Sequence, residues 1–155
     1  MRLLFVHERF GAFGGAEANV LLTAAELKRR GHEVAILHGL NTGKDESAWN
    51  EVFLERFPLA SARHASVLRF ALSEFRPEVI FLHKFADLEV LAALADAGPP
   101  VVRMVHDHDL YCMRGYKYNP LNRQICTRAG LASFCPSRVT RPLSEMGGRG
   151  QQSLA

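Results

Sequence analysis

The fold is decided by the stretch RLLFVHERFGAFGGAEANVLLTAAELKRRGHEVAILHG, residues 2–39, because it contains a complete strand–helix–strand unit. Residues 2–7 form a short apolar run typical of a buried strand, and residues 33–39 form a second one. Between them, apolar residues recur at helical spacing as far as Gly31, a residue that readily takes the left-handed conformation that ends a helix. Two consecutive strands joined through a helix pair in parallel with a right-handed crossover.

The same alternation continues along the rest of the chain. The further predicted elements are a polar loop (40–50), a segment that fits either a short strand or a helix start (51–60), helices at 61–75 and 87–98, and strands at 78–83 and 101–106. The apolar residues of the last strand are typical of burial on both faces. Alternating strands and helices predict an α/β fold: an open, mainly parallel, Rossmann-like sheet with helices on both faces. We assign residues 1–136 to this domain and residues 137–155 to a basic tail rich in Gly, Ser and Gln, disordered or cut short.

Charge is distributed unevenly along the chain. Residues 1–100 carry 11 basic and 13 acidic residues, whereas residues 101–155 carry 8 and 3. The basic third favours phosphates or an anionic membrane surface as a partner, unless it is only a solvated tail. The apolar start is too short for a signal peptide, and no run reaches the roughly 20 apolar residues of a membrane span. We therefore expect a cytoplasmic protein, with peripheral contact at the inner face of the membrane as a further expectation.

Four predicted strands end in histidine: His7, His38, His83 and His106. Because the carboxyl ends of parallel strands share one edge of the sheet, which is where such folds bind ligands, these side chains are expected to come together. Imidazoles there could donate to or accept from hydroxyls and phosphates. The alternative is that each histidine only satisfies loop carbonyls.

Paired glycines mark the loop from the first strand into the first helix. Gly14 and Gly15 would expose backbone amides at the helix start, and Glu17 lies in the first turn. Phosphate or sugar binding is one interpretation, and a tight turn that needs glycine for its geometry is the other. The loop has neither the glycine spacing of a dinucleotide site nor the lysine of a Walker loop, and no acidic residue follows strand two to hold a ribose.

Zinc is a lesser alternative, because His106, His108, Cys112, Cys126 and Cys135 are zinc-type ligands. Their spacing matches no common zinc pattern and includes no C-x-x-C pair. The sequence therefore predicts no metal site and packed thiols instead. The modest net charge of +3 argues against nucleic acid as a partner.

Three segments in order resemble the N-terminal domain of family-four (group 1) glycosyltransferases of the GT-B fold. They are GGAEANVLLTAAELKRRGHEVAIL (14–37), RPEVIFLHK (76–84) and VVRMVHDHDLYC (101–112). The resemblance covers residues 1–112. It implies a retaining transfer of a sugar from a nucleotide-sugar co-substrate to an acceptor, without another cofactor, in a cleft between two Rossmann-like domains.

The resemblance also implies residue roles. Gly14 and Gly15 would lie near the donor phosphates or the acceptor, and we take Glu17, in the same turn, as a further substrate-binding candidate. His106 would orient the transferred sugar, and Asp107 would hold the loop of that histidine or reach the acceptor. We add His83 as a substrate-binding candidate from its place at the same predicted edge.

The donor-binding half that the resemblance implies, with its paired glutamates and phosphate-binding Arg and Lys, has no counterpart among these 155 residues. We expect a fragment, a truncated product or one half of a split enzyme with a separate partner like a C-terminal domain. Such a chain would be inactive alone. The alternative from another class is a non-catalytic module that binds a sugar, a phosphate or a protein partner.

Overall fold

A computed structural model of the chain describes residues 1–59, 64–108, 118–119 and 123–125. Residues 1–106 form one compact unit and residues 107–155 a second. The elements described in the first unit are β1 (Arg2–Phe10), α1 (Gly15–Arg29), β2 (Glu33–Asn41), α2 (Glu46–Val52), β3 (Glu55–Pro58), α3 (His64–Phe75), β4 (Val79–Leu82), α4 (Leu88–Ala95) and β5 (Val101–Arg103). In the second unit, β6 (Tyr118–Asn119) pairs antiparallel with β7 (Gln124–Ile125).

The five strands of the first unit form one parallel sheet in the order β3-β2-β1-β4-β5. The chain first builds outward from β1 through β2 to β3 and then returns to the other side of β1 with β4 and β5. This reversal creates a switch point between β1 and β4, where open α/β sheets bind their ligands. The predicted Rossmann-like α/β fold is confirmed.

Each face of the sheet is covered by one pair of helices, because strand side chains alternate between the two faces. Phe5 and Ile36 point to the layer of α1 and α2, where they pack with Val20 and Trp49. Leu4 and the other alternate residues point to the layer of α3 and α4. The buried core of that second layer comprises Leu4, Val6, Ala35, Leu37, Phe57, Leu59, Leu68, Ala71, Phe75, Ile80, Leu82, Phe85, Val90 and Leu94.

Helix ends follow the sequence signals. After α1, Gly31 takes a positive φ of 85°, and the N–H of His32 donates to the Leu27 carbonyl at 3.1 Å, as in a Schellman motif. At the start of α4, the Asp87 carboxylate accepts from the backbone N–H groups of Glu89 and Val90 at 2.9 and 3.1 Å. The predicted stop at Gly31 and the predicted cap at Asp87 are both confirmed.

Some predicted boundaries were wrong. β1 continues to Phe10 and β2 to Asn41, beyond the predicted ends at 7 and 39, because Phe10 and Asn41 still pair in register. The expected loop at 40–50 contains the start of α2, whose Trp49 is buried. β5 has three residues and lies at the edge of the sheet, so Val101 and Val102 are 38% and 52% exposed and not buried on both faces.

Helix α1, with 15 residues, is the longest of the helices named above. A membrane-spanning helix needs about 20 apolar residues. Within the described ranges, no helix is long and apolar enough to cross a membrane.

Candidate functional site

Three buried histidines form a row across neighbouring strands. His7 pairs in register with His38, and the backbone N–H of His83 donates to the Val6 carbonyl at 2.9 Å, which sets His83 beside His7. Their exposed fractions lie between 0 and 4%. His7 and His38 are therefore inside β1 and β2 and not at the strand ends as expected, whereas His83 directly follows β4.

His83 connects this row to His106. The Nδ1 atom of His83 lies 2.8 Å from Nε2 of His106, a hydrogen bond. The two rings are stacked with their centroids 5.1 Å apart, and the His7 ring meets His83 edge-on at 6.1 Å. The structure thus brings His83 and His106, which follow the carboxyl ends of β4 and β5, together with His7 inside β1.

His38 has different neighbours. Its Nδ1 donates to the Gly39 carbonyl at 3.0 Å, and its ring packs on Phe10 with centroids 4.5 Å apart. Burial lowers the pKa of His38. These contacts match the alternative expectation, in which a histidine satisfies a loop carbonyl, for this member of the row.

Glu17 joins the first turn of α1 to the same row. Its Oε1 lies 3.2 Å from His7 Nε2 and 3.6 Å from an Arg9 guanidinium nitrogen, and the side chain is 4% exposed. The Arg9 guanidinium also lies over the exposed Phe13 ring, 3.8 Å from its centroid. Through His7 and Arg9, Glu17 therefore links the first turn of α1 to β1, and Arg9 in turn contacts the exposed loop at Phe13.

Burial and the polar contacts within this group together determine its charge state. Burial alone would raise the pKa of Glu17, but its own backbone N–H, His7 and Arg9 outweigh that effect and lower it. Burial lowers the pKa of His7 against the opposing effect of Glu17. Burial, with smaller effects from His106 and His7, lowers the pKa of His83 to about 3. At neutral pH the interior thus holds an ionised carboxylate beside two neutral imidazoles.

Two ring nitrogens of this group have no hydrogen-bond partner among the described residues: His7 Nδ1 and His83 Nε2, both buried. In each ring the other nitrogen is the bonded one, to Glu17 or to His106. A buried polar atom without a partner is uncommon in folded proteins and often marks a functional site.

The paired glycines are open to solvent at the start of α1. Gly14 is the N-cap residue, with extended backbone and no side chain to bond the first N–H groups. A Cβ on Gly15 would meet no atom within 4 Å, whereas a Cβ on Gly11, at a φ of 108°, would lie 2.2 Å from Thr42 Oγ1. Glycine is therefore required by backbone geometry at Gly11 and not at Gly14 or Gly15.

A cleft of about 360 Å³ borders the glycine turn. It opens between the β1–α1 loop, the first turns of α1 and the β2–α2 loop. Its walls are mainly apolar, with Lys44 and Asp45 at the β2–α2 side and Glu17 at the helix side. The lining residues are Ala12, Phe13, Gly14, Glu17, Ala18, Leu21, Lys44, Asp45 and Trp49.

The sequence model of glycosyltransferase family 4 matches residues 13–142, which is most of the chain. The chain belongs to glycosyltransferase family 4. Searches among curated proteins and among solved structures found no match. The expected resemblance to the N-terminal domain of GT-B glycosyltransferases is confirmed.

The family 4 match includes the glycine turn, Glu17, His83 and His106. It begins after β1, so His7 and Arg9 lie outside the matched range although they contact Glu17 directly. The structure therefore adds to this group of contacts two residues that the family match does not cover.

Asp107 and His108 begin the second unit, and the role predicted for Asp107 stays a prediction. Cys112, Cys126 and Cys135, on which the zinc alternative depends, lie outside the described residues. Among the residues that the structure describes, no three His, Cys, Asp or Glu side chains are grouped so that they could hold a metal.

Sequence reasoning missed Arg9, Phe13 and Trp49. A signal for Arg9 was present, because two-residue alternation along an extended β1 places it on the same face as His7. The predicted strand ends at residue 7, however, and so does not include Arg9. The positions of Phe13 and Trp49 in the cleft depend on loop paths that periodicity does not indicate.

Proposed function

We propose that this family 4 domain is the acceptor-side half of a retaining glycosyltransferase, which moves a sugar from a nucleotide-sugar to an acceptor. The observation that carries the proposal is the open Gly14–Gly15 turn beside the buried contacts that lead from Glu17 through His7 and His83 to His106. An exposed turn for an anion and an imidazole for a sugar thus belong to one connected group of contacts. No cofactor beyond the nucleotide-sugar co-substrate is proposed.

The glycine turn is proposed to bind phosphate oxygens of the donor or a polar group of the acceptor. The first N–H groups of a helix have no intrahelical partner, and the helix dipole favours negative charge at that end. Because Gly14 and Gly15 do not need to be glycine for backbone geometry, close approach of a ligand is a reason for their lack of side chains.

His106 is proposed to orient the transferred sugar by hydrogen bonds to its hydroxyls, and Asp107 to hold the same loop or reach the acceptor. A transition state with oxocarbenium character depends on positioning and on fixed dipoles more than on a strong base. A ring fixed by a hydrogen bond, as His106 is by His83, suits that task.

Glu17 and His83 were expected to bind substrate, and both side chains are buried. Glu17 borders the cleft, so a ligand there could reach the edge of its carboxylate. We propose that the main task of both is support: Glu17 fixes Arg9 and the helix start, and His83 fixes His106.

The donor nucleotide is proposed to bind mainly to a second, C-terminal Rossmann-like domain, as the family resemblance implies. The 155-residue chain is then expected to bind ligand weakly and to transfer no sugar alone. A radiolabelled sugar-transfer assay tests this: turnover by the purified chain would contradict inactivity. A chain that binds a sugar phosphate but transfers nothing together with a donor-binding partner would instead be a binding module.

The site assignment is tested by calorimetric binding of UDP- and GDP-sugars and of candidate acceptors. Gly15→Val and His106→Ala are expected to weaken binding, because one blocks the helix amides and the other removes the imidazole. Matched controls are Ser66→Val, an exposed position early in α3, and His32→Ala at the surface. If both site variants bind as the parent does, the assignment is wrong.

We further propose a cytoplasmic location with peripheral contact at the inner membrane face, through the basic residues 101–155. Cosedimentation with vesicles that contain anionic lipid, compared with neutral vesicles, tests this. Binding to anionic vesicles is expected to weaken with salt, because screening shortens the reach of surface charges. Equal sedimentation with both vesicle types would contradict it.

A further inference from the structure

The His83 ring lies mainly among aromatic rings, and its one side-chain hydrogen bond within the described residues is to His106. Its ring is stacked on Phe5 at 5.5 Å and meets Phe81 edge-on at 4.5 Å. Nδ1 is bonded to His106, and Nε2 is buried without a partner in the described chain. Such an environment disfavours a charged imidazole, so His83 carries one proton, on one of its two nitrogens.

The position of that proton determines the direction of the hydrogen bond to His106. If the proton is on His83 Nδ1, Nδ1 donates to His106 Nε2, and His83 Nε2 is an unprotonated acceptor nitrogen. If His106 Nε2 donates instead, neutral His83 must carry its proton on Nε2, which leaves a buried N–H without an acceptor. Unpaired buried N–H groups are rarer in proteins than underused acceptors, so the first arrangement is favoured.

In the second arrangement, His7 does not supply an acceptor for the N–H at His83 Nε2. The Nε2 atom of His7 lies against the ionised Glu17 carboxylate, so Nε2 carries the proton and donates, and Nδ1 is unprotonated. An N–H at His83 Nε2 could be satisfied by this unprotonated His7 Nδ1 only if the two nitrogens were within hydrogen-bond distance. Both atoms lack a partner among the described residues. The contacts on both sides of His83 therefore favour its proton on Nδ1.

We propose that His83 is a positioning residue that donates from Nδ1 to His106 Nε2 and thereby holds His106 in the Nδ1–H tautomer. Any hydrogen bond that His106 donates then comes from Nδ1, with the ring plane fixed by the stacked His83. The consequence for sugar transfer rests on the proposed function, in which His106 orients the sugar. The tautomer itself does not depend on that function.

The tautomer is measured by two-bond ¹H–¹⁵N correlation of the imidazoles in the ¹⁵N-labelled chain, at a pH where they are neutral. His106→Gln identifies the signals of His106 among the seven histidines. Solvated neutral histidine prefers the Nε2–H tautomer. The expected result, Nδ1–H on both His83 and His106, would therefore support the proposed hydrogen bond. An Nε2–H tautomer of His106 in the parent chain overturns the proposal.

Variants at His83 test the cause. His83→Phe removes the donor, and His106 is expected to change to the Nε2–H tautomer. His83→Asn keeps an N–H at the δ position, and His106 is expected to stay Nδ1–H. The matched control is His38→Phe, which removes a buried imidazole from the same row without a contact to His106. A folded His83→Phe in which His106 remains Nδ1–H overturns the proposal; if that variant does not fold, the parent and His83→Asn spectra still decide it.

Transfer kinetics separate this inference from the proposed function. In the assembly that transfers sugar, His83→Phe is expected to lower kcat about 10-fold or more with a smaller change in KM, because a misoriented group costs rate. His83→Asn is expected to restore most of the loss. If the tautomer changes and kcat does not, the proposed role of His106 is wrong while the positioning contact stands; if the tautomer never changes, the positioning contact is wrong.

Discussion

His7 Nε2 lies 3.2 Å from Glu17 Oε1, and this buried contact joins the centre of the sheet to the first turn of α1. The two residues are ten positions apart, and the glycine turn lies between them in the chain. The Glu17 carboxylate, which contacts His7 and Arg9, therefore links the first turn of α1 to β1. A polar contact inside the protein thus holds the start of α1, where we propose that a ligand meets the helix amides.

Glu17→Ala is expected to lower the free energy of unfolding by about 1–3 kcal/mol, because it leaves the N–H of His7 buried without an acceptor. Glu17→Gln keeps an acceptor oxygen and should lose less. Urea unfolding at neutral pH measures both. Glu26→Ala is the matched control on the same helix, since its contacts to Arg29 and Arg30 are exposed and contribute little. Equal losses at Glu17 and Glu26 would contradict the anchoring role.

Stability is expected to rise with pH through the mildly acidic range. Unfolded histidine takes up a proton near pH 6.5, whereas folded His83 does so only near 3. Between these values the unfolded state binds more protons, so each such histidine lowers the free energy of unfolding by about 1.4 kcal/mol per pH unit as the pH falls. The lowered pKa of Glu17 acts in the same direction, because its contribution is lost as the pH falls through that lowered value.

Urea unfolding of the parent and His83→Phe between neutral and mildly acidic pH measures this slope. The His83→Phe variant should lose the pH dependence due to one histidine, so its free energy of unfolding should fall less steeply as the pH is lowered. His32→Gln keeps the buried row and should retain the steeper fall. Parallel curves for the parent and His83→Phe would show that His83 binds its proton equally in both states.

Asp87 caps α4, and its Oδ2 atom also lies 2.5 Å from Nδ1 of His64 at the start of α3. Asp87→Ala is expected to lower the free energy of unfolding by about 1 kcal/mol through loss of the cap. Asp87→Asn keeps an acceptor for the helix N–H groups and should lose less. Asp96→Ala, at the other end of the same helix, is the control and should be neutral or slightly stabilising. Equal losses at Asp87 and Asp96 in thermal unfolding would contradict the cap.

Local signals in the sequence were sufficient for the order of strands and helices. Gly31 and Asp87 predict helix ends because their effect depends on a single turn of backbone. α2 was missed because seven residues in a polar segment show little periodicity, and its burial depends on Trp49 reaching the α1 layer.

The site was predictable only as far as strand order predicts it. Parallel strands bring the segments of His7, His83 and His106 to one region, which the sequence indicated. The hydrogen bond between Glu17 and His7 depends on the path of the loop between them, and the low pKa of His83 depends on the aromatic rings around it. Both are tertiary properties that residue spacing does not contain.

Gly11, in the β1–α1 loop, and Gly15, the first residue of α1, should respond differently to substitution by alanine. Gly11→Ala is expected to lower the free energy of unfolding by about 1–3 kcal/mol, because its φ is 108° and the new Cβ would lie 2.2 Å from Thr42 Oγ1 and 2.6 Å from the Lys44 carbonyl oxygen. The methyl group of Gly15→Ala meets no atom within 4 Å, so the free energy of unfolding of this variant should stay within about 0.5 kcal/mol of the parent.

The affinity of Gly15→Ala for a nucleotide-sugar should nevertheless fall about tenfold, because the methyl group lies where a ligand would approach the helix amides. Urea unfolding and calorimetric titration separate the two effects. A Gly15→Ala variant that binds as the parent does would contradict ligand approach at this turn, and a fully stable Gly11→Ala would contradict the loop path that positions it.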